Sequence, residues 1–183
     1  EEYGYEIDIS EWAYINLINS SLSDKNYSEA KTIAKKYISD YPNSSWTQFY
    51  LGKIYERMKD FKSAKTYYQK AICSFAGEYN NISVYSNPTL EQVKSAPGLL
   101  NALTAKAKVF NKIADSKKFT GTDQTNTEAM KNYEASLAAY QLSINLIDKL
   151  RLSYKSEDSK LILSQRIGET YAEAIQTALE LYH

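Results

Sequence analysis

The chain of 183 residues has one cysteine, one histidine, three prolines and six glycines. Each scarcity closes off a class of function. A lone Cys73 can form no internal disulfide. A thiolate nucleophile also needs a base within hydrogen-bond reach, and the one histidine, His183, is the last residue. Cys73 therefore reads as an inert, buried small residue of a packing helix. Neither Cys nor His clusters as metal ligands do, and Glu157-Asp158 reads as acid at a helix start. No catalytic residue, metal or cofactor is expected. The glycines form neither GxGxxG nor GxxxxGKS/T, so no phosphate-cradling loop is present. Charge of either sign is not in excess: 22 Lys and Arg balance 22 Asp and Glu. Nothing in that balance favours nucleic acid, and the scattered lysines read as solvated helix faces. The longest apolar runs fall far short of the ~18 residues of a membrane span. The chain opens Glu1-Glu2-Tyr3-Gly4, with no signal peptide and no initiator Met. A removed N-terminal segment, or excision from something longer, is expected. The cytoplasm is the expected compartment, with export the alternative.

What the chain does have is 17 tyrosines and a repeat. Leu51, Gly52 and Tyr55 are followed by Ala64, Tyr68 and Ala71. Stepping back 34 residues turns Ala64 into Ala30, and Tyr68 and Ala71 into Ala34 and Tyr37, with large and small exchanged. The same step takes Ala76 to the helix-breaking Pro42. This large-small-x-x-large, then small-large-small spacing resembles the tetratricopeptide repeat (TPR), a stacked helical hairpin. The aromatic count fits rings used as knobs between small residues.

Periodicity places helices at 11–23, 28–40, 45–58 and 61–75. The first carries Trp12, Ile15, Leu17, Ile18 and Leu22, and the second Ala30, Ile33, Ala34, Tyr37 and Ile38. Asp24-Lys25-Asn26 and Lys59-Asp60 are the turns, and Ser44 or Ser45 caps the third helix. Ala64 and Ala71 mark a close crossing, with Tyr68 as the knob between the helices. An insertion at 79–97, with a short helix at 89–95, interrupts the regularity. Longer helices follow at 98–117 and 127–152. Their stripes are Leu100, Leu103, Ala107, Phe110 and Ile113, then Tyr133, Leu137, Tyr140, Ile144 and Ile147. The polar segment Thr120–Asn126 reads as a flexible loop between them. A last helix, 156–182, capped by Ser156 with Asp158-Ser159 in its first turn, carries Ile167, Gly168 and Tyr171 in the Leu-Gly-x-x-Tyr spacing. The expected fold is all-α: a right-handed TPR-type superhelix of about seven major helices. Its units are 11–44, 45–78, an enlarged 98–152 and a half unit at 156–182. The last helix has no cap, so Ile175, Leu179 and Tyr182 form an apolar strip open to self-association.

In a TPR hairpin the first helix lines the groove. The resemblance thus points to Trp12, Asn16 and Asn19 in the first unit and Phe49, Tyr50, Lys53 and Arg57 in the second. Chaperone-tail binding is not expected, because Ile15 stands where the carboxylate clamp has Lys and Tyr50 where it has Asn. Tyr50, Lys53 and Arg57 instead offer ring stacking and a positive fork to an extended segment.

Three further stretches carry a narrower resemblance. They are Ile147-Asp148-Lys149-Leu150-Arg151-Leu152-Ser153-Tyr154, Ser156-Glu157-Asp158-Ser159-Lys160 and Glu169-Thr170-Tyr171-Ala172-Glu173-Ala174-Ile175. With Leu100-Asn101-Ala102-Leu103 and Lys106-Ala107, they are similar to the TPR region before the caspase-like peptidase domain of bacterial CHAT-domain proteins. That resemblance implies a sensing or recruiting module that packs on a downstream peptidase domain. The expected function is non-catalytic protein or peptide binding. The alternatives are a standalone scaffold or adaptor and a helical accessory domain of another enzyme.

Overall fold

The computed structural model describes residues 9–93, 96–118, 123–153 and 157–182. Among them are seven α-helices: α1 (Ile9–Ser23), α2 (Tyr27–Asp40), α3 (Ser45–Arg57), α4 (Phe61–Ala76), α5 (Ala96–Lys118), α6 (Asp123–Ser153) and α7 (Glu157–Tyr182). They pair as hairpins α1–α2, α3–α4 and α5–α6, and α7 packs on α6. The expected cap at Ser156, residues 119–122 and His183 lie outside the described residues, as do the side chains of Asp158 and Ser159.

The repeat is visible in the backbone. Lys25 and Lys59, 34 apart, both adopt positive φ, at 58° and 62°. Each is followed by a helix N-cap, Asn26 and Asp60, whose side chain accepts from the amide of Glu29 or Ser63. Such a cap contributes about 1 kcal/mol. Ser44, rather than Ser45, caps α3 through the Trp46 amide.

Burial follows the small-large pattern. Ala30, Ala34, Ala64 and Ala71 are fully buried, as are Tyr37 and Tyr68. A Cβ added at Gly52 would lie 2.6 Å from the Tyr68 ring. Glycine is therefore what lets α3 and α4 approach. One core joins α1, α2 and α3 around Ile15, Ile18, Tyr37 and Ile54. A second joins α4, α5 and α6 around Ile72, Phe75, Leu99, Leu103 and Leu146.

Five expectations need correction. Leu17 does not join the buried stripe of α1; it is 53% exposed, on the side of the helix away from α2 and α3. Helix α6 starts at Asp123, so 123–126 is helical rather than loop. Asp, Thr and Asn compete with helix only in its interior and favour its first turn. Helix α5 starts at Ala96, with Pro97 in its first turn, where the missing N–H costs nothing. Of the short helix expected at 89–95, the described residues show a single 3-10 turn, Leu90–Gln92, and residues 94 and 95 lie outside them. Cys73 is half-buried rather than buried, with its thiol directed at the Asn81 carbonyl 3.3 Å away.

The insertion is held by a buried cation. Gly77 ends α4 at φ 83°, and the chain then folds over α4 and α5. Lys106, 1% exposed, donates to Gln69 Oε1 at 2.8 Å, Ser86 O at 3.0 Å and Asn87 Oδ1 at 2.7 Å. Gln69 in turn donates to Asn81 O at 2.7 Å. Burial pushes the Lys106 ammonium down to about 7, because no carboxylate offsets its loss of water.

Candidate functional site: the face shared by the first helices

The first helices of successive hairpins touch one another: α3 meets both α1 and α5. Polar and charged side chains lace this shared face. Lys53 donates to Asn19 Oδ1 at 2.8 Å, linking α3 to α1. Lys112 pairs with Glu56 at 2.6 Å, linking α5 to α3. Lys108 pairs with Glu173 at 2.7 Å and Lys118 with Glu180 at 2.6 Å, linking α5 to α7. Between them lies a cleft of about 260 Å3. It is lined by Phe49 of α3, by Leu100, Asn101, Thr104, Ala105 and Lys108 of α5, and by Glu169, Thr170 and Glu173 of α7.

The second helices brace the acids on this face. Tyr68 donates to Glu56 at 2.6 Å, and Tyr140 donates to Glu173. Tyr37 holds Glu11 at 2.6 Å, and Tyr133 holds Asp115 at 2.6 Å. Each ring fills the hairpin while its hydroxyl fixes a carboxylate, and burial with the nearby negative charge raises every one of these phenols. Seventeen tyrosines against five phenylalanines in the sequence is the signal for this device; packing alone would be met by Phe.

The residues singled out from the sequence fall into three groups. Asn19, Tyr50 and Lys53 come together, with Lys53 Nζ 5.5 Å from the Tyr50 ring centre. Burial and the nearby Arg57 guanidinium hold the Lys53 ammonium below its ordinary value. Tyr50 is only 8% exposed and stacks edge-on to Phe49, so its ring is part of the packing. Phe49 forms a wall of the cleft. Trp12, 54% exposed, and Asn16, also exposed, lie on α1. Arg57 is exposed and has no ion pair among the described residues.

Residues 12–44 and 46–72 match the tetratricopeptide repeat family. These spans cover α1–α2 and most of α3–α4. The fold is an all-α tetratricopeptide-repeat superhelix. No curated protein matches the chain.

The TPR frame also locates the cleft residues that the sequence reading missed. Lys53 and Arg57 stand one and five residues after Gly52. Glu169 and Glu173 stand one and five after Gly168, in the same Leu/Ile-Gly-x-x-Tyr setting. Transposing the offsets would have found both acids. The α5 side of the cleft has no such marker, because α5 lies beyond the insertion and outside the 34-residue register. The arrangement suits holding a polypeptide: a cleft of mixed polar and apolar lining with Phe49 on its α3 side and the acids Glu169 and Glu173 on its α7 side, and the basic Lys53 and Arg57 farther along α3. No group of three Cys, His, Asp or Glu that could hold a metal occurs among the described residues. None of their helices is long and apolar enough to cross a membrane.

Proposed function

We propose that this TPR array is a non-catalytic protein-interaction module that holds an extended segment of a partner protein along α1, α3, α5 and α7. The observation that carries the reading is the cleft beside Phe49 together with the unneutralised Lys53 and Arg57 on the same helix. Eight residues of helix separate Phe49 from Arg57, about 12 Å. An extended chain covers that in about four residues. The favoured ligand presents an apolar side chain to the cleft and, about four residues away, a carboxylate to Lys53 and Arg57. The clamp for a chain-terminal carboxylate is incomplete at Ile15 and Tyr50, so an internal acidic side chain is the better fit.

The wider setting we propose is the regulatory arm of a caspase-like peptidase. The CHAT-like stretches at 147–160 and 169–175 support it. Groove occupancy would then change how the array packs on the peptidase domain.

A random peptide library selected on this chain tests the binding reading. The expected consensus is apolar-x-x-x-acidic, with binding weakened at least tenfold by Arg57→Glu and kept by Ile175→Glu. No selected consensus, or one indifferent to Arg57→Glu, would count against it. The setting is tested separately, by adding a selected peptide to a protein that joins this array to its peptidase. A change in proteolytic rate supports regulation; an unchanged rate removes it and leaves a scaffold or adaptor.

A further inference from the structure

Most charges on α3, α5 and α7 are neutralised within the fold. Lys112 is paired with Glu56, Lys108 with Glu173, Lys117 with Glu128 and Lys118 with Glu180. Asp115 accepts from the Tyr133 hydroxyl, and Lys106 is buried under the insertion. Among the described residues of these helices, that leaves Lys53, Arg57 and Glu169 without an ion pair. The two cations stand on α3. Glu169 is exposed and forms part of the α7 wall of the cleft, on the side of that helix that faces α5. Its neighbour on the wall, Glu173, is already held by Lys108 and Tyr140. Glu169 is therefore the unengaged acid of the cleft.

An unpaired anion at the edge of a cleft attracts a cation brought by the ligand. A cleft of about 260 Å3 is about 8 Å across, which an extended chain covers in about two or three residues. We propose, building on the groove reading above, that the ligand is a segment carrying both signs of charge. Its acidic side chain meets Lys53 and Arg57, its apolar side chain fills the cleft, and a Lys or Arg about two or three residues beyond the apolar one reaches Glu169. Arg is the better fit, because its planar fork can take both oxygens of a carboxylate. A segment laid the other way puts its acid at Glu169 and its base at Arg57. Like charges then meet at both ends, and that repulsion gives the groove one preferred orientation of its ligand.

Two parallel selections from a random peptide library test it, one on the wild-type chain and one on Glu169→Lys. The wild-type selection should add Arg or Lys to the apolar-x-x-x-acidic consensus, on the far side of the apolar residue from the acid. Glu169→Lys should replace that base by an acid and leave the rest of the consensus in place. A peptide selected on the wild-type chain should bind Glu169→Lys about fivefold more weakly at low salt, and the loss should shrink in about 0.5 M salt. Glu134→Lys makes the same change of charge at an exposed position of α6 and should bind that peptide unchanged. An apolar-x-x-x-acidic consensus with no base, or with a base that Glu169→Lys does not alter, overturns the proposal and leaves the groove reading standing. An equal loss in Glu134→Lys overturns it as well, since net charge alone would then account for the effect. No consensus of that form in either selection removes both readings.

Discussion

The first two hairpins and the region after Gly77 use the same kind of helix but are held together by different means. In the first, alanine, glycine and tyrosine at a 34-residue period bring helices close enough for rings to fill the gaps. Asn26 and Asp60 close the turns in the same way twice. In the second, the helices are nearly twice as long and the period is broken. Specific polar fasteners take over: Lys106 for the insertion, Asn111 to Thr177 at 2.7 Å, and the lysine–glutamate pairs between α5 and α7. A regular repeat sets its register through shape repeated along the chain. An irregular unit needs individual contacts, and these leave no period to read.

The largest expected effect breaks the shape-based half. Tyr68→Ala removes a fully buried ring and the hydroxyl that holds Glu56. It should cost about 3–5 kcal/mol, read as a fall in the urea midpoint with m unchanged.

The matching break in the polar half is Lys106→Met. It leaves Gln69 Oε1, Ser86 O and Asn87 Oδ1 without their donor, at a cost of about 2 kcal/mol near neutral pH. Hydrogen exchange should quicken in 79–93 while α1–α3 stay protected. The pH dependence carries a second signature. The Lys106 value is about 7 in the folded chain against an ordinary 10.5. Between those values the unfolded chain holds the extra proton, so this group makes stability rise with pH. Below pH 7 both states are protonated and the slope vanishes. Lys106→Met should therefore flatten the stability profile from about pH 7 upward.

The two glycines sharpen the comparison at smaller scale. Gly52→Ala drives a Cβ into the Tyr68 ring and should cost about 1–2 kcal/mol. Gly168→Ala enters open space, so only helix propensity acts and the gain should be about 0.5–1 kcal/mol. Thermal unfolding at low protein concentration should show shifts of opposite sign.

Most of the fold was legible from spacing. Helix ends in 9–76 fall within one or two residues of those read from periodicity, because caps and turn residues are local. The apolar stripes of α5 and α6 face the core for the same reason, with Ile113 and Leu137 only partly buried. Leu17 misled because apolar character does not say which side of a helix has a neighbour. Residues 123–126 misled because their polar residues suit a helix start as well as a loop. The site was half legible. Asn19, Lys53 and Phe49 could be named from their place beside the repeat's landmarks, and the structure joins Lys53 to Asn19 and sets Phe49 on the cleft, but Tyr50 is packing. The second wall of the cleft comes from α5 and α7, which tertiary packing brings to α3. The tyrosine hydroxyls were the quietest signal: nothing local marks which carboxylate each will meet.

The central claim is that the first helices share one binding face. Amide chemical-shift mapping of the labelled chain with a library-selected peptide tests it most directly. The account predicts shifts confined to α1, α3, α5 and α7, centred on Lys53, Thr104 and Glu169, with α2 and α4 unmoved. Shifts concentrated on α2 and α4, or on the insertion at 79–93, would contradict it.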